Sequence, residues 1–144
     1  MLVRLMYASR TADQVDQDSL HGILRQCKEN NPTLGITGLL CHCNTSGIFM
    51  QVLEGGRSAV NRLYLKIAAD KRHTHVELMD YAEITERRFA GWAMGQINMS
   101  RLNPGLLLKY SATPVLDPYS VSGKVSLAMF DELVATASIM GDRG

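Results

Sequence analysis

Apolar residues recur along this chain with two alternating spacings, and the spacings predict its elements. Leu2 to Ser9 is a short apolar run ending in small polar residues, the pattern of a strand. Between Asp16 and Asn30, Leu20, Ile23, Leu24 and Cys27 fall at i, i+3, i+4 and i+7, one buried stripe of a helix. Asn30-Asn31-Pro32 is expected to stop that helix, because the residue before a proline is pushed out of the helical region. Ile36 to Cys43 and Ile48 to Leu53 read as strands joined by a turn around Asn44 to Gly47. After Gly55-Gly56, the positions Val60, Leu63, Tyr64, Ile67 and Ala68 mark a second amphipathic helix. Val76 to Thr85 and Ala93 to Met99 are the fourth and fifth predicted strands, separated by a charged bend at Glu86-Arg87-Arg88.

The order β-α-β-β-α-β-β predicts an α+β, ferredoxin-like fold, a five-stranded sheet with two helices on one face. Beyond Ser100, Pro104, Gly105, Pro114, Pro118 and Gly123 punctuate the chain before a last helix, Lys124 to Ile139. Val125, Met129, Leu133 and Ala137 would line one side of it. The uncovered face of the sheet needs burial, and a C-terminal helical cap is the simplest cover; a partner protein is the other.

Composition narrows the classes. A chain of 144 residues is one domain's worth of protein, and 46% apolar against 20% charged residues is ordinary for a globule. Fifteen Lys and Arg face 14 Asp and Glu, so no basic footprint for nucleic acid is present. No apolar run approaches a membrane span, and the N-terminus lacks a signal-peptide layout. The three cysteines, Cys27, Cys41 and Cys43, are odd in number, which fits free thiols in a reducing cytoplasm.

Several chemistries drop out. Neither GxGxxG nor GxxxxGK occurs, nor does a GxSxG elbow. Cys41-His42-Cys43 looks metal-like, but on a strand His42 points away from both cysteines and no C-x-x-C pair supports a zinc site. His73 and His75 are read as cations at a helix end. Gln51 is more informative, because it interrupts an apolar strand and a buried amide without partners costs about 1–3 kcal/mol. Tyr7 and Asn31 hold similar positions at the ends of a strand and a helix. The plain alternatives are a Gln on the exposed face, a Tyr at the rim and a turn-forming Asn.

Taken together, these residues resemble a BLUF domain, a flavin-binding blue-light sensor. The matching stretches are Arg4-Leu5-Met6-Tyr7-Ala8-Ser9, Asn30-Asn31-Pro32 with Leu34-Gly35-Ile36-Thr37-Gly38-Leu39-Leu40, and Phe49-Met50-Gln51-Val52-Leu53-Glu54-Gly55. They continue with Asp70-Lys71-Arg72-His73 and Arg88-Phe89-Ala90-Gly91-Trp92-Ala93-Met94. The resemblance covers residues 1 to about 100 in order, leaving 101–144 as a helical extension on the sheet. Leu106-Leu107-Leu108-Lys109-Tyr110-Ser111 resembles the tail of the short single-domain branch.

The resemblance implies FAD held between the two helices. Ile23 and Ile67 would sandwich its ring, and Asn31 would bond the pyrimidine edge. Lys66, Asp70, Arg72 and His73 would lie near the ribityl chain and phosphate. Tyr7 and Gln51 match the photochemical pair: light moves an electron, with a proton, from Tyr7 to the flavin, and Gln51 is left rotated or tautomerised. Trp92 and Met94 match the proposed signal relay. Two apart on a strand, they would share a face. The implied function is a blue-light photoreceptor without catalysis of its own. It would act on a response-regulator-like protein, a cyclic-di-nucleotide enzyme or a transcription regulator, with homo-oligomerisation by analogy. A light-independent ferredoxin-like interaction module is the alternative.

Overall fold

In the computed structural model, the structure describes residues 1–11, 29–43, 47–91, 94–98, 104–114 and 117–136. The strands are β1 (Leu2–Thr11), β2 (Thr37–Cys43), β3 (Ile48–Gly56), β4 (His73–Ile84) and β5 (Gly95–Asn98). The helices are α1 (Arg57–Ala69), α2 (Pro104–Tyr110) and α3 (Gly123–Thr136), with a 3-10 turn at Pro118–Ser120. The five strands form one sheet in the order β4-β1-β3-β2-β5. All neighbours are antiparallel except β2 and β5, which run parallel.

Side chains of a strand alternate between faces, so each face gathers its own core. Val3, Leu5 and Tyr7 of β1 join Leu40, Phe49 and Leu53 beneath Val60 of α1. Met6 and Ala8 point the other way and join Leu39, Met50 and Val52 beneath Leu107 of α2 and Met129 and Phe130 of α3. The sheet is therefore buried on both faces, as the predicted fold requires. Of the two helices expected on the first face, α1 is described in full. The other is described only over residues 29–34.

That helix does not stop at Pro32. Residues 29–34 are helical, and the end comes at Gly35, whose φ of 69° is left-handed. Gly35 N–H donates to Pro32 O and Ile36 N–H to Asn31 O, the paired bonds of a Schellman closure. A proline lacks only its own N–H, so the glycine with its permitted left-handed turn decides the boundary.

His73 and His75 also differ from expectation. They belong to β4, not to a helix end, because Asp70 already has extended backbone and leads the chain out of α1. Lys66 is the basic residue of the last helical turn. The β1–β4 ladder is broken twice, between Met6 and Tyr7 and between Ala8 and Arg10. The second break holds His75 at a φ of 52°. Both irregularities receive the C-terminal segment. Tyr119 Oη donates to His75 O at 2.8 Å, and Gly123 lies so close to Met79 O that a Cβ would sit 1.8 Å from it.

Candidate functional site

Antiparallel pairing sets Tyr7 of β1 directly opposite Gln51 of β3, on the face covered by α1. Directly opposed side chains on one face have Cβ atoms only about 4.5–5.5 Å apart. Both residues are 1% exposed. The Tyr7 hydroxyl donates to Gln51 Oε1, and Gln51 Nε2 donates to Met94 Sδ at 3.3 Å. The amide is thus held at its acceptor end by a phenol and at its donor end by a thioether. Sulfur is a weak acceptor, so a better acceptor presented by a ligand can replace it. The reading that puts Gln51 on an exposed face fails, because its register with Tyr7 turns it into the core.

Tyr64 of α1 lies against the same core, with its ring centroid 5.6 Å from that of Tyr7 and the planes at 47°. Burial, and then the Glu77 carboxylate, push its phenol above the ordinary value. The sequence reading treats Tyr64 only as a member of the apolar helix stripe. Its aromatic neighbour is 57 residues away and leaves no local signal.

Asn31 sits in the helical segment 29–34 and is 1% exposed. Its side-chain oxygen Oδ1 is buried and accepts no hydrogen bond among the described residues, although the residue has other interactions. The buried Asn31 amide oxygen is an acceptor, and the Tyr7 phenol and Gln51 amide are paired polar groups in an apolar core, the kinds of group that suit the hydrogen-bonding edge of a flat heterocycle. The set thus fits a flavin ring. Ile67 is half-buried at the margin of this core, and Lys66 beside it is exposed. Asp70 accepts from Arg72 N at 2.9 Å and from its guanidinium Nη2 at 2.6 Å. His73 opens β4. Ile23 and Trp92 lie outside the described residues. Met94 precedes β5, which begins at Gly95, so the shared-face argument for Trp92 and Met94 does not apply.

On the opposite face of β3 lies an ion pair with no forewarning in the sequence. Glu54 is fully buried and accepts from Arg4 Nε at 2.9 Å and Arg4 Nη2 at 2.8 Å. It also accepts from Arg88 N at 3.0 Å and Phe89 N at 2.7 Å, tying the bend before Met94 to the sheet. The Arg88 guanidinium reaches Asp131 of α3. Arg88 and Phe89 are therefore held to β3, and Arg88 to the C-terminal helix as well.

Within the metal-like triplet, Cys41 and His42 fall on opposite sides of β2, and the Cys43 side chain lies outside the described residues. Cys41 lies in one core, where burial pushes its thiol far up, and His42 is buried on the other side, 3.0 Å from Gln96. Among the described residues no group of three His, Cys, Asp or Glu could hold a metal.

The profile of a family described as sensors of blue light using FAD matches residues 2–95. Photoactivated adenylate cyclase subunit beta of Euglena longa is 39% identical over 94 residues, 65% of this chain but 11% of that protein. The chain thus spans about a tenth of this relative. Among solved structures, the photo-activated state of BlsA superposes with a TM-score of 0.86 at 27% identity, covering 97% of this chain and 99% of BlsA. The dark state of BlrB, a BLUF protein, gives 0.78 at 31% identity, covering 95% and 97%.

Proposed function

The chain belongs to the BLUF family, sensors of blue light that use FAD, and from that premise we propose that Tyr7 and Gln51 are its photochemical switch. Bound FAD supplies a ring that absorbs blue light and, once excited, accepts an electron. The rest of the chemistry belongs to the chain. Tyr7 gives the electron, and its hydroxyl proton moves toward the Gln51 Oε1 to which it is already hydrogen-bonded. When the charge returns, the Gln51 amide is left rotated or tautomerised, so its donor and acceptor ends exchange partners. An amide suits this role because it presents both functions with nearly the same shape. Rewiring such a network in a buried, low-dielectric site changes the energy of the light-absorbing ring without covalent chemistry.

In this reading Asn31 bonds the pyrimidine edge, and Ile23 and Ile67 flank the ring. Lys66, Asp70, Arg72 and His73 hold the ribityl and phosphate end. Trp92 and Met94 relay the change, with Met94 already the acceptor of Gln51 Nε2. Residues 1–100 form the sensor and 101–144 the extension that carries the signal.

The family is one of sensors, and the matched stretch is a sensing module, not a catalytic one. Its output is a downstream signalling protein: a response-regulator-like protein, a cyclic-di-nucleotide enzyme or a transcription regulator. The Euglena relative, in which a similar stretch is part of an adenylate cyclase subunit, supports an output of this kind. Homo-oligomerisation and a cytoplasmic location complete the proposal. Among the described residues no helix is long and apolar enough to cross a membrane.

The observation that carries the reading is the buried Tyr7–Gln51–Met94 chain of hydrogen bonds. Purified protein should be yellow, and blue light should shift its flavin absorption reversibly to the red. Gln51→Leu should keep the bound FAD and lose the shift. A colourless protein that cannot be reconstituted with FAD would overturn the proposal in favour of a light-independent interaction module.

A further inference from the structure

We propose that Tyr64 is a second redox-active tyrosine, an electron donor to oxidised Tyr7 that lies outside the Gln51 hydrogen-bond network. The inference rests on the preceding reading, in which the excited flavin oxidises Tyr7.

Three features of the structure meet at this pair. The rings are 5.6 Å apart between centroids and tilted by 47°, inside the range of direct aromatic contact. Tyr64 faces inward because it continues the apolar stripe of α1 with Val60, Leu63 and Ile67, and helix residues three and four apart share a face. Exposure differs across the pair: Tyr7 is 1% exposed and Tyr64 is only half-buried. A phenol that loses an electron becomes strongly acidic, so the hole settles where the proton can leave. At Tyr7 the hydroxyl proton faces Gln51 Oε1, whereas Tyr64 is the more exposed of the two rings and so the readier to pass its proton to solvent once oxidised.

Electrostatics favours the same direction. The Glu77 carboxylate, close enough to act on the Tyr64 phenol, stabilises positive charge on that ring.

Tyr7, having lost one electron but not yet its hydroxyl proton, takes one electron from Tyr64. Tyr7 is restored as a neutral phenol with its O–H bond intact. Tyr64 releases its hydroxyl proton to water and remains as a neutral phenoxyl radical. Because Tyr7 never passes its proton toward Gln51, the amide is not switched. Tyr64 therefore drains excitations away from the signalling state, and the yield of that state reflects a competition between the two routes.

The test uses the FAD-loaded protein, frozen under blue light, with electron paramagnetic resonance for tyrosyl radicals and absorption for the red shift. The unsubstituted protein should trap a tyrosyl radical. Tyr64→Phe should lose that signal completely while raising the fraction of molecules that reach the red-shifted state. Phenylalanine keeps the ring contact, so a purely packing role would leave the radical unchanged. A radical that persists in Tyr64→Phe, or none in the unsubstituted protein, overturns the inference. Tyr7→Phe separates this from the parent reading: a full red shift in Tyr7→Phe would sink the role of Tyr7 itself, whatever Tyr64→Phe shows.

Discussion

Glu54, fully buried on β3, takes four N–H donors from Arg4, Arg88 and Phe89. Three positions before it on the same strand, Gln51 projects from the opposite face with a neutral amide. The difference in chemistry follows from what each residue must hold. A carboxylate can be buried only beside a compensating charge, and Arg4 stands directly opposite it in the β1–β3 register. Glu54→Gln would leave the Arg4 guanidinium, itself 8% exposed, without its counter-charge. The expected cost is about 3 kcal/mol, since breaking a buried pair by removing one partner is strongly destabilising. Urea unfolding of the variant checks this, and a loss below about 1 kcal/mol would show that the pair is better solvated than its geometry indicates.

The C-terminal helices are fastened to the sheet by contacts that differ in kind. At one end α3 begins against the irregularity in β4, where Gly123 leaves no room for a side chain beside Met79 O. Gly123→Ala must push the helix away or distort the strand. It should cost about 1–3 kcal/mol, the range for overpacking. Hydrogen exchange should quicken first in residues 123–136; uniform quickening across β1 and β3 instead would contradict a local docking role. Farther along, Glu132 of α3 accepts from Lys109 and from Tyr110 Oη of α2. The hydrogen bond from Lys109, then that from Tyr110, holds the Glu132 carboxyl below its ordinary range. A carboxyl lowered on folding contributes stability that is present above its unfolded value and lost as pH falls through the folded one. The α2–α3 contact should therefore loosen in acid, below the usual carboxylate range. Glu132→Gln should remove that step from the pH dependence of exchange in α3. The pair is exposed, so its weight in global stability is small.

At the scale of the whole molecule, one sheet separates two cores that do different work. The α1 face carries the hydrogen-bonded trio Tyr7, Gln51 and Met94, and the opposite face packs apolar side chains from β1, β2, β3, β5, α2 and α3 beside the buried Arg4–Glu54 pair. Phe130, 1% exposed, is a large member of that second core. Phe130→Ala should cost about 3–5 kcal/mol and lower Tm by on the order of 10 °C. FAD content should remain, because the truncated ring lies across the sheet from the site. Loss of flavin at temperatures where the variant is folded would mean that the two cores are not separable.

The strands and helices were legible because burying one face imposes a period on neighbouring residues. Their limits were not. β4 starts at His73 instead of Val76, and β5 starts at Gly95, after the bend at Met94, because pairing partners decide where a strand begins. The stop at Pro32 was misplaced for a similar reason, since the closing bonds of Gly35 and Ile36 are made by the folded turn.

The sequence by itself determined the order of elements, the two-faced sheet and the residue types available for photochemistry, all properties of short stretches. Only the tertiary structure decided that Tyr7 meets Gln51 across 44 residues and Arg4 meets Glu54 across 50. The same is true of the contact between the Tyr64 ring and that of Tyr7. Such meetings depend on strand register and helix docking, and a slip of one residue would turn every one of these strand side chains to the wrong face.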